Sequence, residues 1–132
     1  MLLLLTSCSS LKTAKLMKSG EVEQKVFNIT IPFEYRLGLI VLKVTIFGEA
    51  YDFLLDTGAP NVISKELAQK YGLSNIFERK FGDSQGQTSD LGMIKLDEIS
   101  IGGINFLNTG AAVADLKQSK ELGCLQINGF VG

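Results

Sequence analysis

Histidine is missing from all 132 residues, and that one gap removes much of the common hydrolytic chemistry. Without an imidazole the chain cannot build a Ser-His or Cys-His nucleophile pair, or a zinc site with histidine ligands. Cysteine is nearly as scarce. Cys8 and Cys124 are too few for a disulfide framework or a four-thiolate metal site, and Cys124 reads as a small buried thiol. Neither sign of charge dominates, with 13 Lys and Arg against 14 Asp and Glu, so neither a basic face for nucleic acid nor a disordered acidic tail is expected. Catalysis, if the chain performs any, falls to carboxylates, and no metal or other cofactor is expected. Peptides or small molecules are the expected partners.

The length suits one domain with one core. At the amino end, "MLLLLTSCSS" places a leucine run before Leu5, Thr6, Ser7 and Cys8. This resembles a bacterial lipoprotein signal ending in a lipobox. The resemblance implies that residues 1–7 are a remnant signal and that Cys8 is the lipidated first residue of the mature protein. It also implies a place on the bacterial cell envelope, facing the periplasm or the outside, with the membrane reached only through the lipid anchor. The other reading is a frayed apolar terminus with an incidental cysteine on a cytoplasmic protein. Residues 8–25 are polar, Lys-rich and without a sustained helical or alternating pattern, as a tether would be.

From Val26 the composition changes to short apolar runs rich in Val, Ile and Phe. "LIVLKVTIF" (39–47) reads as one strand and "YDFLLD" (51–56) as the next. Gly48, Glu49 and Ala50 form a hairpin-length link, so the two strands should pair antiparallel. Ser64 can cap a short helix, "KELAQKY", whose Leu67 and Tyr71 lie one turn apart and which Gly72 can end. It is the one helix that the pattern supports. Strand-like pieces resume at 76–81, 91–96, 98–101, 104–107 and 110–114. Frequent short strands with one helix predict a mainly β domain, a closed or partly closed barrel. "FLNTGAAV" (106–113) echoes "FLLDTGAP", but Asn108 stands where an acid would be and an amide cannot exchange the proton. It reads as the beginning of a strand.

"FLLDTGAPNVIS" (53–64) sets a lone carboxylate at the end of an apolar strand. An ionised Asp taken out of water costs several kcal/mol, so Asp56 needs a local reason. Gly58 would let the backbone turn sharply where a side chain would clash, and Ala59 keeps the surroundings small. The amide N–H groups of the turn can then point at the carboxylate and favour its ionised form. Thr57 adds a hydroxyl able to brace the turn against a neighbouring copy.

Asp56, Thr57, Gly58 and Ala59 after a hydrophobic strand resemble the catalytic signature of aspartic peptidases. The short single-lobe layout resembles the retroviral-type, or retropepsin-like, branch of that family. Three further features fall in the family's order. A hairpin precedes the motif. A polar, Gly-containing loop, Asp83, Ser84, Gln85 and Gly86, falls at the place of the substrate-binding flap. "GFVG" (129–132) looks like the apolar-apolar-Gly strand beside the catalytic loop. The resemblance spans residues 26–132 and implies an acid-protease β-barrel with one short helix. In the family a helix and a final strand follow that last glycine, and neither is present in this sequence, so the C-terminal helix is expected to be missing and the lobe to be incomplete.

The resemblance further implies an aspartic-type endopeptidase that hydrolyses peptide bonds with a water activated between two aspartates. Like charges roughly 3 Å apart cannot both ionise, so the pair shares one proton, one member acting as base and the other as acid. No cofactor or metal takes part. With a single "DTG" in the chain, the second aspartate has to come from another copy, in a homodimer, or from a second lobe. Asp52 cannot serve, because it lies four strand residues away. Asp83, Asp90, Asp97 and Asp115 lack the glycine turn and are expected at the surface. Two other readings compete: a catalytically inert peptide-binding or scaffolding lobe of an envelope lipoprotein, and a turn aspartate capping amides in an unrelated small β domain.

Overall fold

The computed structural model describes residues 8–82, 86 and 88–132. Its central feature is the hairpin of β3 (Leu39–Ile46) and β4 (Glu49–Leu55), paired antiparallel from Val41 with Leu54 to Ile46 with Glu49. Apolar residues on both of its faces drive it, with Leu42, Val44, Ile46 and Phe53 buried in one cluster and Val41 and Leu54 in the other. The turn is Phe47 and Gly48, both at positive φ (50° and 81°), the geometry whose twist matches the flanking strands. The expected link of Gly48, Glu49 and Ala50 is thereby corrected. Two left-handed residues suffice to reverse the chain, and Glu49 and Ala50 join β4.

Beyond β4 the chain forms the short β5 (Val62–Ser64) and then α2 (Lys65–Lys70), an earlier helix, α1, spanning Cys8–Met17. Ser64 caps α2 as expected, its hydroxyl accepting from the Leu67 N–H at 3.2 Å. A long antiparallel hairpin follows, β7 (Thr88–Ile101) with β8 (Ile104–Ala114), and β6 (Phe77–Gly82) lies along β7. The sequence pattern divides each long strand in two, at Asp97 and at Asn108. The structure joins them, because the register is the same on both sides of that point and only the Asp97–Asn108 rung is absent, where Asn108 adopts φ 55°. The "FLNTGAAV" echo therefore lies within β8.

Last comes β9 (Gly129–Val131), inserted between β4, to which it runs parallel, and β5, to which it runs antiparallel. β5 in turn lies parallel to β8, and β7 meets β3 through Thr45 and Ser100. The strands β3, β4, β9, β5, β8 and β7 thus close a ring within one mainly β sheet. β2 (Phe33–Arg36) extends it beside β3, and β1 (Glu21–Val22) beside β8. One buried cluster is built around Val44, Ile46, Ile63 and Ile94, and the other around Val41, Leu54, Met93 and Leu125.

Among the described residues there are three short helices where the pattern supports one. α3 (Lys120–Leu125) escapes notice at six residues, yet Ser119 caps it, accepting from the Leu122 N–H at 3.4 Å, and it buries Leu125. That orientation turns Cys124 outward, so the expected buried thiol is an exposed one. α1 forms where no sustained periodicity is visible, and tertiary packing supports it: Leu16 and Met17 rest on the second cluster. Ser19 follows, donating its hydroxyl to the Asn108 carbonyl at 3.0 Å. No helix among the described residues is long and apolar enough to cross a membrane.

Candidate active site

β4 delivers the chain to Asp56, and β9 holds it there. The Asp56 N–H donates to the Val131 carbonyl at 2.9 Å, continuing the parallel β4–β9 ladder by one bond. The chain then turns. Ala59 N–H donates to the Asp56 carbonyl at 3.1 Å, and Gly58 N–H donates to Asp56 Oδ1 at 3.0 Å. This is the expected amide-to-carboxylate contact. Asp56, Thr57 and Gly58 are exposed and Ala59 is half-buried.

Two glycines allow this packing. A Cβ on Gly129 would overlap the Val62 carbonyl and the Phe53 ring, and one on Gly132 would overlap the Ala59 carbonyl. "GFVG" is therefore placed beside the Asp56 loop as the sequence suggests, with a glycine at each point of closest approach. Gly58 is different. Its φ is not positive, and an added Cβ would meet only Asp56 Oδ1 at 3.5 Å, an ordinary contact. The expected clash is corrected: no contact among the described residues requires glycine there, and Gly58 is exposed.

Asn61, which sequence reasoning passed over, ties the loop to its surroundings. Its Oδ1 accepts from the Gly132 N–H at 3.0 Å, its Nδ2 donates to the Gly110 carbonyl at 3.3 Å, and its own carbonyl accepts from Ala112 N–H at 2.9 Å. The available signal was a single amide side chain between Pro60 and the apolar Val62 and Ile63.

Asp52, four residues before Asp56, is paired with two cations. Arg36 Nη2 donates to its Oδ2 at 2.8 Å, the Lys43 ammonium faces Oδ1, and its backbone carbonyl accepts from Asn128 N–H at 2.7 Å. Burial alone would raise this carboxyl, but Lys43 and Arg36 together outweigh it and hold it below the usual carboxylate range. Arg36 also reaches Glu34 at 2.8 Å and the Leu125 carbonyl at the end of α3 at 3.1 Å.

At the other end of β4, α2 is fastened to the β3–β4 hairpin. Lys70 donates to Glu49 at 2.6 Å and to the Tyr51 hydroxyl at 2.8 Å, and the Tyr51 and Tyr71 hydroxyls lie 2.5 Å apart. Partial burial, then Tyr71 and Glu49, push the Tyr51 hydroxyl up to about 12 against the opposing pull of Lys70.

Of the expected flap residues, Asp83, Ser84 and Gln85 lie outside the described residues. Gly86 is described, exposed and at φ 81°, between β6 and β7, which pair up to Gly82 and Thr88. Of Cys8 only the backbone is described, as the first residue of α1. Asp90, Asp97 and Asp115 are exposed. Among the described residues no three His, Cys, Asp or Glu side chains gather as metal ligands.

The model of a family described as aspartyl protease matches residues 42–132. Among solved structures, a retropepsin-like aspartic protease from Rickettsia conorii superposes with a TM-score of 0.54 at 23% identity, over 86% of this chain and 76% of that one. No curated protein matches.

Proposed function

The chain belongs to the aspartyl protease family and has a retropepsin-like fold, and on that premise we propose that it is an aspartic endopeptidase in which Asp56 supplies one of two catalytic carboxylates. The observation that carries this reading is the state of Asp56: a carboxylate at an exposed strand end, accepting one N–H from Gly58 and paired with no cation among the described residues. Most carboxylates placed for stability acquire partners, as Asp52 does. The exposed position of Gly58 favours the same reading, since a glycine that no contact among the described residues requires suits the close approach of a second chain or a substrate backbone.

In the proposed reaction a water lies between Asp56 and its counterpart, which share one proton. The ionised carboxylate takes a proton from the water as its oxygen attacks the peptide carbonyl carbon, and the protonated carboxyl hydrogen-bonds the carbonyl oxygen as negative charge develops. Collapse of the tetrahedral intermediate breaks the C–N bond, and the departing nitrogen receives the proton. Thr57, Gly58 and Ala59 form the supporting loop. The 83–86 segment between β6 and β7 would cover an extended peptide and exclude bulk water.

The counterpart carboxylate comes from a second copy or a second lobe. Extending the β3–β4 register two residues sets Leu39 level with Asp56, and Leu37, Leu39 and Leu55 are all exposed at that end of the sheet. An apolar rim around a lone carboxylate favours a protein surface as its cover. The test is cleavage of an internally quenched peptide at mildly acidic pH, with Asp56→Asn and a pepstatin-type inhibitor as controls. Cleavage that survives both treatments removes the proposal, and peptide binding without cleavage by the wild-type dimer would favour an inert binding lobe. Lipidation of Cys8 and an envelope location belong to the same proposal, and labelled palmitate retained by a Cys8→Ser variant would refute them.

A further inference from the structure

We propose that Asn61 is a positioning residue, a clamp that sets the depth of the Asp56 loop and hence the distance between Asp56 and its counterpart. This rests on the peptidase reading above. The loop leaves β4 at Asp56 and re-enters the sheet at Val62, and among the described residues two backbone bonds and one side chain tie it to the sheet between those points. The backbone bonds, Asp56 N–H to the Val131 carbonyl and Ala112 N–H to the Asn61 carbonyl, each hold one end to a single strand. The side chain is the Asn61 amide, which grips opposite walls at once: its oxygen holds Gly132, just after β9, and its nitrogen holds Gly110, in the middle of β8.

No other side chain of comparable size fits both roles. One wall presents an N–H and the other a carbonyl, so the residue needs one acceptor and one donor on a short, rigid planar group. Aspartate keeps the acceptor but turns a second oxygen toward the Gly110 carbonyl. Both walls are closely packed. The Gly110 site lies against the Leu16 carbonyl at the end of α1, where an added Cβ would overlap it, and Gly132 touches the Ala59 carbonyl of the loop itself. Loss of the clamp would therefore let the loop move rather than let the walls follow it. A dyad sharing one proton responds steeply to separation. As the two carboxyls part, their coupling weakens and their two apparent pKa values converge.

The test uses the purified full chain and one quenched peptide that the wild type cleaves, comparing wild type, Asn61→Ala and Asn61→Asp across pH, with competent sites counted by titration with a pepstatin-type inhibitor. Per competent site, kcat is expected to fall about tenfold or more with KM within about twofold, because misplacement affects the reacting groups more than peptide binding. The bell of kcat/KM against pH is expected to narrow from both sides, more in Asn61→Ala than in Asn61→Asp. A merely structural role would lower the number of sites and leave both limbs of the bell in place, and that result overturns the proposal. So does failure of both variants to fold, which would make Asn61 a residue of the fold. Wild-type cleavage that resists Asp56→Asn overturns the peptidase reading instead, a result visible before any Asn61 variant is made.

Discussion

Asp52 and Asp56 occupy one strand, four residues apart, and have opposite circumstances. Asp52 lies in the middle of the sheet with Arg36 and Lys43 at its oxygens, and Asp56 stands at the strand end with one amide of its own turn. Alternation alone would put both on the same face. The difference lies in what reaches them: Lys43 of β3 lies opposite Asp52, and Arg36 of β2, although paired with Leu39, extends its guanidinium to the Asp52 carboxylate, whereas Leu37 in the β2–β3 turn and Leu39 at the start of β3 lie at the Asp56 end. A carboxylate surrounded by cations has its charge spent on holding strands together. One at an apolar rim keeps its charge for a partner outside the chain.

The largest effect that could break this contrast is chemical. Asp56→Asn is expected to reduce peptide cleavage by at least about 10³-fold while changing unfolding free energy by no more than about 0.5 kcal/mol, as an exposed residue should. Peptide kinetics beside urea denaturation measure both, and a variant that keeps more than a tenth of the activity would place the two aspartates in one class. The reverse is expected of Asp52→Asn. It should lower stability at neutral pH by about 1.5–3 kcal/mol, the range for a hydrogen bond to a charged group, with kcat within a few-fold of wild type.

The pH dependence sharpens the contrast further. Asp52 is held below its ordinary value in the fold, so its pairing stabilises the chain fully above the unfolded pKa of about 3.9. That stabilisation is lost as pH falls through the lower folded value. Urea midpoints of wild type and Asp52→Asn should therefore differ at neutral pH and converge in acid. A gap that stays constant down to the acid limit would show that Asp52 acts by packing. The smallest effect belongs to Lys43→Met. Its side chain is 61% exposed, and loss of such a pair should cost no more than about 0.5 kcal/mol. A larger loss would mean that Lys43, rather than Arg36, holds Asp52.

Parts of this arrangement are legible in the chain because they are local. The β3–β4 hairpin follows from alternation, the start of α2 from Ser64, and the place of β9 from two glycines around Phe130 and Val131. The six-residue α3 and the poorly periodic α1 carried too little local signal, and their formation depends on Leu125, Leu16 and Met17 finding the core. The exposure of Cys124 is illegible for the same reason, since the outward face of a helix cannot be assigned until the helix is known. Asn61 carries no pattern at all. Its partners lie 49 and 71 residues away, and nothing in its immediate neighbours announces them.

What the sequence determined by itself is the kind of chemistry: without histidine, with few cysteines and with one aspartate in a glycine turn after an apolar strand, the chain could offer little except a carboxylate. Which carboxylate stays available was decided by tertiary structure. The β2–β3 and β3–β4 pairings bring Arg36 and Lys43 to Asp52 and leave Leu37 and Leu39 at the rim by Asp56; the strands are legible locally, but which side chain meets which carboxylate depends on the register in which they pair. Side-chain type is a property of the chain. Desolvation and pairing are properties of the neighbours that folding supplies.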